Sequence, residues 1–96
     1  MQHRGKRLAK YHLTKEQYAE LLKAQDYRCA ICLRPFGDEC PFIDHDHDCC
    51  AGQGSCGKCV RGLLCRFCNT GLGHFGDAAN TLRAAADYLE NAAVAA

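Results

Sequence analysis

The chain has 96 residues and nine cysteines, with 12 lysines and arginines against 11 aspartates and glutamates, a formal charge of +1. A length like this makes one small domain, residues 1–96, whose core buries a modest share of the surface and invites a metal or disulfide staple. The basic, polar start "MQHRGKRLAKYH" does not resemble a secretory leader, and no apolar run reaches the roughly 20 residues expected of a membrane-spanning helix.

The expected setting is therefore the cytoplasm, where thiols stay reduced and cysteines serve as metal ligands. An odd number of cysteines also fits a complete disulfide framework poorly. The net charge says little about partners, but its placement says more. Arg4, Lys6, Arg7 and Lys10 all precede the first acid, Glu16, so residues 1–12 form a basic arm. Such an arm either contacts phosphates or is a solvated, frayed terminus.

In chain order, "LTKEQYAELLKAQD" comes first and reads as a helix. Thr14 is its cap, Gln17 completes a capping box, and Leu13 supplies the hydrophobic residue before it. Tyr18, Leu21 and Leu22 share one face, which reads as core. A tight turn carrying Cys29 and Cys32 follows, then a short strand over residues 41–47 and a long loop from Asp48 to Cys59. "VRGLL" is the returning strand of a hairpin. "RFCNTGLGHF" begins a helix weakened by Gly71 and Gly73. Asp77 is placed to cap a last helix over residues 77–92, with Leu82, Ala85, Ala86 and Leu89 on one side.

Cys29-x2-Cys32 and Cys65-x2-Cys68 are matched pairs. Each pair puts two sulfurs on one side of a tight turn, and together they make a tetrahedral four-sulfur zinc site with no open position, hence structural. Cys49, Cys50, Cys56 and Cys59 are candidates for a second zinc in the long loop, Cys56 and Cys59 foremost; the alternative is spare thiols. A redox role for the C-x-x-C pairs is disfavoured, because no thioredoxin-like βαβ context surrounds them.

The run "IDHDH", residues 43–47, then needs its own explanation. A solvated loop would not sit between "PFI" and a matching apolar return strand, and cysteines already supply the zinc cage. Residues two apart on a strand share a face, so His45 and His47 project together and Asp44 opposite. For Asp44 and His45 to serve one site, the strand must end, twist or bulge between them. A histidine that takes a proton from water beside a carboxylate that holds Mg²⁺ is the pairing that metal-assisted phosphodiester hydrolysis requires.

The sequence C-x-x-C, then "IDHDH", then "RGLLCRFCN", with "LGHFGD" in support, resembles the phage recombination endonuclease VII branch of the HNH, or ββα-metal, nucleases, from about Tyr11 to Glu90. The resemblance implies an α+β fold: a zinc-stapled hairpin-plus-helix core over residues 29–70, flanked by an N-terminal and a C-terminal helix. It implies a DNA endonuclease that leaves a 5′-phosphate and a 3′-hydroxyl. Asp44 and Asn69 would hold a catalytic Mg²⁺ or Mn²⁺, His45 would be the general base, and His47 would contact phosphate or tune the site. Arg61 and Arg66, with the arm residues, are candidate DNA contacts. Leu72 stands where the family pattern has a glutamate, and "CVRGLL" has no counterpart of the middle asparagine of many HNH motifs. The expectation is a simpler nuclease that nicks or cuts duplex DNA as a monomer or weak dimer, in a phage-infected or prophage-bearing bacterial cell, beside packaging or recombination proteins. The rival reading is a non-catalytic zinc module that binds DNA or a phage packaging component.

Overall fold

The computed structural model describes residues 8–50 and 56–91. The arm residues Arg4, Lys6 and Arg7, and the last residue of the expected C-terminal helix, 92, lie outside the described residues. After a helical turn at residues 8–10, the chain reverses through His12, whose φ is +55°, into helix α1 (Lys15–Ala24). Thr14 caps α1 as expected: the Gln17 N–H donates to Thr14 Oγ1 at 3.0 Å, and the Thr14 N–H donates to Gln17 Oε1 at 2.8 Å. These bonds satisfy donors that a helix N-terminus leaves open. Tyr18 is buried, and Leu21 and Leu22 pack against the core from the same face.

Gln25, at the end of α1, does something no local pattern announces. Its Nε2 donates to the carbonyls of Arg28 (2.8 Å) and Leu63 (3.0 Å), while its Oε1 accepts from the Leu63 N–H at 2.9 Å. The side chain thus completes the hydrogen bonding of one residue on an outer strand edge. Leu63 has no exposed surface, so its backbone groups have little recourse to water. Gln25→Ala is expected to cost about 1–3 kcal/mol in a urea titration; an unchanged midpoint would contradict this role.

The hairpin is short. Strand β1 (Phe42–His45) pairs antiparallel with β2 (Val60–Leu64), with partners Phe42 and Leu64, Ile43 and Leu63, Asp44 and Gly62, then His45 and Val60. The register shifts between Asp44 and His45, which leaves Arg61 as the unpaired extra residue on β2. A bulge of this kind kinks the ladder and re-aims side chains. The shift falls at the Asp44–His45 step, where an irregularity was expected. Beyond His45 the strand gives way to a turn, earlier than expected. The N–H groups of Cys49 and Cys50 both donate to the Asp46 carbonyl, and the Asp48 N–H donates to Asp46 Oδ1. Asp46 is therefore a turn-forming residue.

Helix α2 (Arg66–His74) forms despite its glycines because its start is pinned from two directions. Cys65 Sγ accepts from the Cys68 N–H, and Glu39 Oε2 accepts from the Arg66 N–H at 2.6 Å. A carboxylate suits the positive end of a helix. The helix packs against both strands. Helix α3 (Ala79–Glu90) differs from expectation at its start. Its N-cap is Ala78, with no side-chain cap, and Asp77 adopts φ +58° with its carboxylate engaged elsewhere. Among the described residues α3 packs on no other named helix or strand, and Leu89 is 73% exposed.

These elements form a small α+β arrangement of one antiparallel hairpin and surrounding helices. Its buried hydrophobic cluster is Leu8, Tyr18, Cys29, Phe36, Ile43, Leu63, Leu64 and Cys65. Two of those residues, Cys29 and Cys65, belong to the matched C-x-x-C pairs, so the core includes two of the four sulfurs that could hold zinc. No helix among the described residues is long and apolar enough to cross a membrane.

Candidate active site and cysteine clusters

Cys29 and Cys32 lie on the turn after α1, Cys65 follows the returning strand as the N-cap of α2, and Cys68 sits in the first turn of α2. Their four sulfurs fall within 4.8 Å of one another, with Cys32 and Cys65 Sγ 3.8 Å apart. A sulfur tetrahedron drawn around zinc with bonds of about 2.3 Å has edges of about 3.8 Å, so this set could hold zinc. Its chemistry agrees. The Arg34 backbone N–H and guanidinium hold Cys32 down to about 6, whereas burial and the neighbouring thiols push Cys68 up to about 12. Four adjacent thiols resist ionising together unless a cation compensates them.

Cys49, Cys50, Cys56 and Cys59 form a second group, again with all sulfurs within 4.8 Å of one another. This set, too, could hold zinc. Hydrogen bonds with Cys56, Cys59 and Cys50 push Cys49 up to about 12, while the Lys58 backbone N–H draws Cys56 down to about 7. None of the nine cysteines is in a disulfide.

The bulged hairpin gathers the ionisable groups. Asp44 and His45 are both buried. The Asp44 carboxylate receives Arg61 through two bonds, Nε to Oδ2 at 2.7 Å and Nη2 to Oδ1 at 3.0 Å. Arg61 Nη2 also reaches Asp77 Oδ1 at 2.9 Å, and Asp77 Oδ2 lies 3.7 Å from His47 Nδ1. Arg61 holds the Asp77 carboxyl below the usual carboxylate range, with His47 adding to the effect. Arg61, expected among the DNA contacts, is thus engaged by two carboxylates.

His45 Nε2 lies 2.9 Å from the Cys50 carbonyl oxygen. A carbonyl only accepts, so Nε2 carries the hydrogen, and in the neutral ring Nδ1 is the basic nitrogen. The ring is flanked by Tyr11, with centroids 5.6 Å apart, and by His47 at 4.3 Å. His45 and His47 therefore meet on one side of the turn, as their spacing implied.

Asn69 follows Cys68 on α2, three residues before Leu72 and so on the same helix face. Leu72 shares a shallow depression of about 250 Å³ with Asp44, Arg61, Gly62 and Ala30. Asn69 itself does not line that depression. Arg66 keeps an exposed position with its guanidinium 5.2 Å from the Phe67 ring centroid. Asp77, expected as a helix cap, instead partners Arg61, and its local sequence does not tell a cap from a long-range partner.

A model of the recombination endonuclease VII family matches residues 4–91. Among curated relatives, the Gene 59 protein of Mycobacterium phage D29 is 39% identical over 84 residues, covering 85% of this chain and 46% of the relative. The Gene 59 protein of Mycobacterium phage L5 is 36% identical over 86 residues, covering 88% of this chain and 48% of the relative. The chain spans about half the length of these relatives.

Proposed function

The chain belongs to the recombination endonuclease VII family, and from that premise we propose that it is a metal-dependent DNA endonuclease with its reacting groups at the bulged hairpin. The observation that supports this most is the bond between the His45 ring and the Cys50 carbonyl, which leaves one basic nitrogen next in sequence to a buried carboxylate. His45 takes a proton from the attacking water at Nδ1. Since His45 is 3% exposed, that water enters past Tyr11 and His47. His47, steered by Asp77, contacts the phosphate.

The oxygens of Asp44 and Asn69 suit a hard cation such as Mg²⁺ or Mn²⁺. Bound there, it would supply charge stabilisation for the phosphate and the leaving oxygen. Cys29, Cys32, Cys65 and Cys68 hold a structural zinc that clips the hairpin to α2, making residues 29–70 the ββα-metal core. Arg66, Lys10 and the rest of the basic arm follow the DNA backbone. The substrate is duplex or branched DNA in a phage-infected cell, and the protein acts as a monomer or weak dimer beside packaging or recombination proteins.

One observation favours a second reading. Arg61 already neutralises Asp44, as it would in a non-catalytic zinc module that binds DNA or a protein partner. In the nuclease reading, guanidinium and cation compete for the carboxylate. Arg61→Ala is then expected to strengthen Mn²⁺ binding on the order of tenfold, the equivalent of losing a charge-assisted bond worth about 1.5 kcal/mol. A Mn²⁺ titration followed by electron paramagnetic resonance reads this directly; unchanged or weaker binding would count against the competition.

The two readings separate on end-labelled DNA. Zinc-loaded protein with Mg²⁺ or Mn²⁺ is expected to cut a duplex or a four-way junction, leaving a 5′-phosphate and a 3′-hydroxyl. Retarded but uncut DNA, whether or not Mg²⁺ or Mn²⁺ is added, would support the binding module.

A further inference from the structure

The four cysteines of the long loop take no part in the proposed reaction, yet they are arranged as tightly as the first set. Cys49 and Cys56 Sγ are 3.8 Å apart, and Cys50 and Cys49 Sγ are 3.9 Å apart. A disulfide would require about 2.05 Å, whereas the edge of a zinc tetrathiolate is about 3.8 Å. The first set shows the same spacing, 3.8 Å between Cys32 and Cys65.

The loop is also joined to the functional strand through two of these cysteines. The Asp46 N–H donates to the Cys59 carbonyl at 2.9 Å, and the His45 ring donates to the Cys50 carbonyl at the same distance. Gly57, inside Cys56-x2-Cys59, has φ +88°, and a Cβ there would lie 2.9 Å from the His12 carbonyl oxygen. The turn is thus seated against His12, the neighbour of Tyr11, whose ring flanks His45. Without a staple, a connection of this length with no strand or helix in its described part would be a poor support for a ring that must keep one orientation.

We propose that Cys49, Cys50, Cys56 and Cys59 bind a second zinc, which fixes the His45 imidazole by holding the Cys50 carbonyl in place. Four thiolates fill the coordination shell, so the ion is structural, and soft sulfur donors in a tetrahedron select zinc over the hard cations that suit Asp44. Cys50 is a positioning residue that acts through His45, in the way outer partners orient a reacting group. The consequence for rate rests on the nuclease reading; the metal site and the ring orientation do not.

The test uses the full chain, purified from zinc-supplemented cells, beside Cys56→Ser/Cys59→Ser. Elemental analysis and native mass spectrometry are expected to find two zincs per wild-type chain and one in the variant. Imidazole ¹⁵N spectra are expected to show His45 as a single Nε2–H tautomer in the wild type and as an average of both tautomers in the variant. The variant's kcat on DNA is expected to fall about tenfold to a hundredfold with KM little changed. One zinc in the wild type, two in the variant, or a Cys49–Cys56 disulfide would overturn the site, and an unaltered tautomer would overturn the positioning. Should the variant not fold, alkylation of the native wild type decides: protected loop thiols with two zincs support the site, and reactive ones overturn it. A wild type that binds two zincs and cuts no DNA would contradict the nuclease reading and leave the second site standing.

Discussion

Cys29→Ser or Cys65→Ser is expected to abolish folding at ordinary temperature. Structural zinc in small domains contributes on the order of 10 kcal/mol, as much as the whole net stability of a typical domain, about 5–15 kcal/mol. Here the two residues are also part of the core, Cys29 with no exposed surface and Cys65 with 7%. A serine there puts a hydroxyl among Leu63, Leu64 and Ile43 and removes a proposed zinc ligand in the same step. Far-UV circular dichroism should lose its helical signal, and a strong chelator should do the same to the wild type. A variant that melts cooperatively within a few degrees of the wild type would show that the core stands without the metal. Glu39 and Cys65 pin the start of α2 together, so that helix should be the first element lost.

The second large effect is on rate. His45→Ala should lower single-turnover DNA cleavage by about a hundredfold to ten-thousandfold, the usual contribution of a general base. Because the ring is buried between Tyr11 and His47, alanine also leaves a cavity, and lost packing could mimic lost chemistry. His45→Gln separates the two. A glutamine amide can still donate to the Cys50 carbonyl, but it has no basic nitrogen. Both variants are expected to keep their zinc and helical signal, and both to lose cleavage. Cleavage retained in the glutamine variant would remove His45 from the role of base.

The features legible in the sequence are those set by residues close together along the chain. The Thr14–Gln17 capping box is a four-residue pattern, and each C-x-x-C fixes its own turn. The need for an irregularity between Asp44 and His45 followed from strand alternation alone, and the structure supplies it on the opposite strand, at Arg61. What was not legible are choices of distant partners. Nothing near Gln25 announces that it completes the hydrogen bonds of Leu63. Asp77 had the local features of a helix cap, but a bond to Arg61 took its carboxylate, and α3 starts uncapped at Ala78. Arg61 looked like a phosphate contact because a lone arginine on a short strand carries no mark of the carboxylate it will face. The stripe of Leu82, Ala85, Ala86 and Leu89 is periodic, yet periodicity supplies an apolar side without saying what covers it.

Asp44, His45 and Asn69 are proposed to form one metal-dependent phosphodiesterase site. Nicking of supercoiled plasmid by zinc-loaded protein tests it most directly, with Mg²⁺ present or simply omitted, since a chelator would also strip the cysteine zinc. Relaxed circles are expected only when Mg²⁺ is added, and none from Asp44→Asn, His45→Gln or Asn69→Ala at matched zinc content. Intact plasmid with the wild type at every Mg²⁺ and Mn²⁺ concentration, or nicking that survives all three substitutions, would contradict it.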